Sequence, residues 1–159
     1  MHNGDERATL TSLLQRQRDT LEFKCAGLDR AQLRQRAVAP SELSLLGLVR
    51  HLAEVERSWF RVVLRGEECP GYWPRTESGE VTEFDADTAD PEEAFAAWRD
   101  ACARSREIVD AADSLDVTGK YDGEVYSLRY ILAHMIEEYA RHNGHADLLR
   151  ERIDGATGE

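Results

Sequence analysis

The sequence predicts an all-α protein, a four-helix bundle with a long crossover between its second and third helices. Three observations carry that expectation. Apolar residues recur at helical spacing in four long segments, capping residues mark where those segments begin or end, and the one long stretch without periodicity, Gly66 to Ala89, falls between the second and the third. A chain of 159 residues with 42% hydrophobic composition can bury one proper core and is too short for two of ordinary size. Residues 1–159 are therefore expected to form a single domain, ordered over about 5–155 with a frayed tail at 156–159.

The first helix is expected from Asp5 to Leu28, with Leu10, Leu14, Leu21, Cys25 and Leu28 as its stripe and Arg16, Arg18 and Glu22 off it. A short helical turn around Arg30 to Arg34 follows, and Ala39-Pro40-Ser41 breaks the chain. Ser44 caps the second helix. Leu45, Leu46, Leu48, Leu52, Val55, Trp59, Phe60 and Val63 give it a broad apolar face, His51 lies in its middle, and Gly66 ends it. In the crossover, Tyr72 and Trp73 point to an ordered segment that covers either a pocket or an end of the core. Asp90-Pro91-Glu92-Glu93 starts the third helix, whose stripe is Phe95, Trp98, Cys102, Val109 and Ala112. Between Ser114 and Tyr126 the turn signals Thr118-Gly119 and Asp122-Gly123 allow a short hairpin or an extended connection. Ser127 caps the last helix, Arg150 and Arg152 suit its negative end, and Gly155 suits the left-handed position beyond it.

The formal net charge of −11 repels phosphate backbones and anionic lipid surfaces, so neither nucleic acid nor a membrane is expected as a partner. No apolar run approaches the roughly 20 residues of a membrane span. The N-terminus MHNGDERATL shows no basic segment followed by a hydrophobic one, and a cytoplasmic location is expected. Cys25, Cys69 and Cys102 are odd in number and form no CxxC pair, which argues against a disulfide framework or a thiolate zinc site. Cys25 and Cys102 lie on apolar stripes and read as small buried hydrophobes, whereas Cys69 sits in the crossover.

The last helix concentrates the chemistry: it carries His134, His142 and His145 together with Glu137 and Glu138. At 1.5 Å of rise per residue, His134 and His142 stand roughly 12 Å apart along the axis and Glu138 and His145 roughly 10.5 Å, too far to share one ion. Glu138 and His142, at i and i+4, lie one turn apart on one stripe and can share it; His142 with His145 is a weaker pair. His51, flanked by Leu48, Leu52 and Val55 on the second helix, is the natural third ligand. Two histidines and a carboxylate suit zinc, nickel or iron and leave positions open for water or substrate. The plainer reading is a solvated ion pair beside a hydrogen-bonded core histidine. Ile131, Met135, Leu148 and Leu149 border the stripe and favour an inward orientation. The two Glu-x-x-His motifs of di-iron bundles and the Gly-x-Ser-x-Gly elbow of serine hydrolases are both missing from the sequence.

LSLLGLVRHLAEVERSWF around His51 and SLRYILAHMIEEYARHNGHADLLRERIDG at the end resemble the DinB-like superfamily, in particular its branch of mycothiol transferases. The resemblance extends over most of the chain, including KCAGLDRAQLR and the acidic crossover. Many relatives carry three histidines, the last two spaced H-x-x-x-H before Arg-Gly-Gln; here Glu138 takes the first of those places, His142 the second, and Asn143-Gly144-His145 follows. The His, Glu, His combination is similar to mycothiol-dependent maleylpyruvate isomerase, whose metal is zinc. The resemblance thus picks out His51, Glu138 and His142 as metal ligands. It implies a thiol S-transferase in which a divalent metal activates mycothiol or a similar small thiol to attack an electrophile. The same ligands would serve a metal-dependent hydrolase acting through hydroxide, and a non-enzymatic metal-binding stress or interaction protein is a third reading. Arg141 and Trp73 are candidates for binding the cosubstrate, His145 for moving the proton, and a homodimer through one bundle face is left open.

Overall fold

Capping side chains set where the helices begin. In the computed structural model, which describes residues 4–158, Asp5 accepts a hydrogen bond from the Ala8 N–H at 2.8 Å and opens α1 (Glu6–Cys25). That helix ends three residues short of Leu28, because Ala26 turns extended and Gly27 takes a left-handed φ of 75°. Asp29 and Gln32 form a reciprocal capping box for the short α2 (Arg30–Arg34). Ser44 caps α3 (Leu45–Glu56), accepting from the Gly47 N–H at 3.0 Å. At Arg57 the helix widens into a π-helical segment, Arg57–Leu64, which nothing in the apolar pattern announces. Asp90 and Pro91 start α4 (Pro91–Asp110), and Ser127 starts α5 (Leu128–Asp154), which Gly155 ends with a φ of 79°.

The hairpin option is the one adopted, as β1 (Thr118–Tyr121) antiparallel to β2 (Glu124–Ser127) with Lys120 opposite Val125. Asp122 and Gly123, both at positive φ, make its two-residue turn. The other glycine signal has a different cause. A Cβ on Gly119 would stand 2.0 Å from the Val63 carbonyl oxygen, so this strand backbone rests directly on the π-helical segment.

Helix α1 lies along α5 and α3 lies along α4, with α3 also touching α5. Leu14, Leu21, Leu52, Phe60, Trp98, Leu132, Met135 and Tyr139 are buried between them. Inside this apolar core sits a polar network that the hydropathy pattern misplaced. Arg18, expected on the solvent side of α1, is buried and forks onto Glu56 of α3 through Nε at 2.7 Å and Nη2 at 2.9 Å. The Tyr139 hydroxyl of α5 donates to the same carboxylate at 2.8 Å and accepts from Trp98 Nε1 of α4 at 2.8 Å. One buried carboxylate therefore ties the four long helices together.

One smaller expectation changes: Leu148 is 55% exposed and does not border the inward stripe of α5. Beyond α5 the Ala156 N–H donates to Asp154 at 3.0 Å and the Lys24 amine donates to the Gly158 carbonyl; Glu159 lies outside the described residues. No helix among the described residues is long and apolar enough to cross a membrane.

Candidate metal centre

Helical register on two elements brings three candidate ligands to one point. On α5, Glu138 and His142 are one turn apart, and His142 Nε2 lies 3.2 Å from Glu138 Oε1. From α3, His51 Nε2 reaches the same oxygen at 2.9 Å. His51, Glu138 and His142 each offer an atom within 4.8 Å of the others, and all three are largely shielded from solvent. An ion with tetrahedral bonds of about 2.0 to 2.2 Å sets its ligand atoms roughly 3.3 Å apart. The separations of 2.9 and 3.2 Å are close to that value, and two imidazoles with a carboxylate are donors a divalent ion accepts, so the residues fit a metal.

The crossover supplies what the helices cannot. Glu83 Oε1 stands 3.1 Å from His51 Nδ1, and the Phe84 ring stacks on the His51 imidazole at 4.7 Å. These residues had no periodic signal. They are delivered by charged side chains of α3 that capture crossover backbone: Arg50 donates to the carbonyls of Thr82 at 2.9 Å, Glu83 at 3.2 Å and Asp85, while Glu54 accepts from the Tyr72 and Trp73 N–H groups. Arg50 and Glu54 bracket His51 in an otherwise apolar run, and that interruption is the only trace of the arrangement in the sequence.

Electrostatics divide the two histidines. Burial disfavours charge on His51, but hydrogen bonds with Glu83 and Glu138 outweigh it and raise its pKa. His142 has one carboxylate instead of two. Burial, together with repulsion from His51, lowers its pKa against the pull of Glu138. Burial pushes Glu138 up, yet the His51 hydrogen bond and the attraction of His142 hold it below the ordinary carboxylate range.

The remaining candidates separate. His145, expected to move a proton, sits behind His142: its Nδ1 is 3.3 Å from His142 Nδ1, the ring nitrogen that faces away from Glu138. Arg141 does not reach the cluster; its side chain is 60% exposed and pairs with Glu137 on the outer face of α5. His134 packs against Trp59 at 4.4 Å and Tyr130 at 6.0 Å, a full turn from Glu138. Trp73 does line a space. Its indole N–H donates to the Arg50 carbonyl at 2.9 Å, the Arg50 guanidinium lies 4.6 Å above its ring, and it walls a cavity of about 440 Å³ that also includes Glu83.

A family model described as Mycothiol-S-transferase matches residues 9–155. No curated protein matches the sequence.

Proposed function

We propose, because the chain belongs to the Mycothiol-S-transferase family, that it joins a low-molecular-weight thiol of the mycothiol type to a small electrophile at a divalent metal held by His51, Glu138 and His142. The carrying observation is the convergence of those three side chains from α3 and α5 within 4.8 Å. On this reading the metal is zinc, which suits two imidazoles and a carboxylate, the fold is a DinB-like four-helix bundle, and the protein works in the cytoplasm. When bound, such an ion lowers the pKa of a coordinated thiol and so supplies a nucleophile at neutral pH.

The chain's own sulfurs are poorly placed for that role. Burial, above all other influences, pushes the Cys25 thiol up to about 12 and raises Cys102 as well, while Cys69 lies on the crossover under the Arg57 guanidinium. The reacting sulfur therefore arrives as a cosubstrate. The thiol proton leaves, a sulfur–carbon bond forms, and either a leaving group departs with its electron pair or the neighbouring carbon takes up a proton. Glu83 accepts from the Nδ1–H of His51, which leaves Nε2 on the Glu138 side as the nitrogen that would hold an ion, and Phe84 shields one face of that ring. His145 does the same for His142 from behind, which makes it a positioning residue rather than a group that touches the thiol.

Glu83→Gln should weaken zinc binding about 10- to 100-fold, as loss of a carboxylate behind a ligating histidine does. Competition with a chromophoric chelator measures it, and unchanged affinity would remove Glu83 from the centre. The activity itself is tested by incubating zinc-loaded protein with mycothiol and chlorodinitrobenzene or a bimane, beside matched esters and amides without thiol. Thiol-dependent adduct formation is the expected result. Ester or amide turnover independent of thiol would replace the transferase with a hydrolase, and bound metal without any turnover would leave a binding protein.

A further inference from the structure

We propose that the cavity of about 440 Å³ between α3 and the crossover binds the electrophilic substrate, and that it selects a planar conjugated or aromatic compound bearing a carboxylate. The word electrophilic rests on the thiol-transfer reading; the ligand chemistry rests on the cavity alone.

Position comes first. Val55 follows His51 by one turn of α3 and lines the cavity, as does Glu83, whose carboxylate touches the His51 ring. A ligand seated there lies beside the metal cluster. The volume falls within the range of roughly 300 to 1,000 Å³ typical of small-molecule sites.

Shape follows from two indoles. Trp73 is pinned by its hydrogen bond to the Arg50 carbonyl and by the Arg50 guanidinium, and Trp59 is pinned by His134 at 4.4 Å and Tyr126 at 5.3 Å. Together with Val55 and Val81 they offer flat apolar walls whose orientation is set before any ligand enters. Trp59 and Ser58 belong to the π-helical segment Arg57–Leu64, a geometry that is rare and concentrated at functional sites.

Charge follows from what the lining has already spent. Its carboxylates are committed: Glu54 accepts from the Tyr72 and Trp73 N–H groups and from Arg57 Nε, and Glu83 is engaged with His51. Its donors are not. A guanidinium carries five N–H groups, of which Arg57 uses those on Nε and Nη1 and Arg75 donates from Nη1 to the Gly79 carbonyl. Arg75 forms no salt bridge among the described residues. The Ser58 hydroxyl and the Trp59 indole N–H have no acceptor among the described hydrogen bonds. A wall with spent acceptors and spare donors complements an anion, and guanidinium forks match a carboxylate.

The test uses zinc-loaded full-length protein without thiol and three probes: cinnamate, its neutral planar analogue cinnamyl alcohol, and the non-planar anion cyclohexanecarboxylate. Tryptophan quenching and saturation-transfer NMR read the binding. Cinnamate should bind about tenfold or more tightly than either comparison, Arg75→Ala should remove most of that advantage over the alcohol, and Trp59→Leu should remove the advantage over the non-planar acid. Cinnamate affinity unchanged by Arg75→Ala would remove Arg75 as the carboxylate's partner and overturn the proposal. Preference for the alcohol, or for myo-inositol added as a polyol control, would overturn it equally. Since no thiol is present, absent transferase turnover with intact discrimination removes only the label electrophilic, whereas lost discrimination with intact turnover removes this site.

Discussion

Glu56→Gln is expected to lower the stability of the fold by about 3 to 5 kcal/mol, the usual result of breaking a buried ion pair from one side. Glu56 is wholly buried, and its loss of charge strands the Arg18 guanidinium in the core and weakens the hydrogen bond from Tyr139. A loss of that size is a large share of the roughly 5 to 15 kcal/mol that holds a domain together. In a chain of this length it lowers the melting temperature by roughly 6 to 20 °C. Burial disfavours the Glu56 carboxylate, yet the Arg18 charge and its hydrogen bonds outweigh that and hold the carboxyl below its ordinary value. Its stabilising contribution is therefore present above the unfolded-state pKa of about 4.3 and is lost as the pH falls through the lower folded-state value. Parent and Glu56→Gln stabilities, measured by urea unfolding, should converge in acid. The double variant Arg18→Met, Glu56→Leu should recover most of the loss, because an apolar pair of similar volume strands no charge. A Glu56→Gln protein as stable as the parent at neutral pH would show that the network contributes nothing.

The second large effect is on metal content. His142→Ala should reduce bound zinc after dialysis from about one equivalent to near none, since only two ligands would remain of a set whose three donors already converge. His134→Ala should retain the metal, because that ring packs against Trp59 and Tyr130 a turn away. His145→Ala should retain it with affinity weakened by about tenfold, through loss of the contact at His142 Nδ1. Elemental analysis of the three variants decides the matter, and equal loss in all of them would mean that the ligands lie elsewhere. Binding should also weaken as the pH falls, because the carboxylates that raise the pKa of His51 make a proton a stronger competitor for its Nε2.

What was legible in the chain were relationships spanning a turn or two. Ser44, Asp90 and Ser127 cap their helices through backbone groups two or three residues on, Gly155 takes the left-handed position, and Glu138 meets His142 because helical register leaves them one turn apart. His51 could be turned inward by its neighbours Leu48 and Leu52, both fully buried. The rest depended on partners far along the chain. Arg18 reads as lying off the apolar stripe of α1, yet it is buried with Leu14 and Leu21 because Glu56, 38 residues later, pairs with its charge. Glu83 comes to His51 across 32 residues of chain because Arg50 and Glu54 bind the crossover backbone, and the charges that interrupt the apolar run of α3 do not say which crossover residues they capture. The π-helical widening at Arg57 likewise accompanies a tertiary contact, the Gly119 strand seated on the Val63 carbonyl. Capping and helical spacing are short-range chemistry and can be read residue by residue, whereas the burial of a charge and the course of a crossover are set by groups that only the folded chain brings within hydrogen-bonding distance.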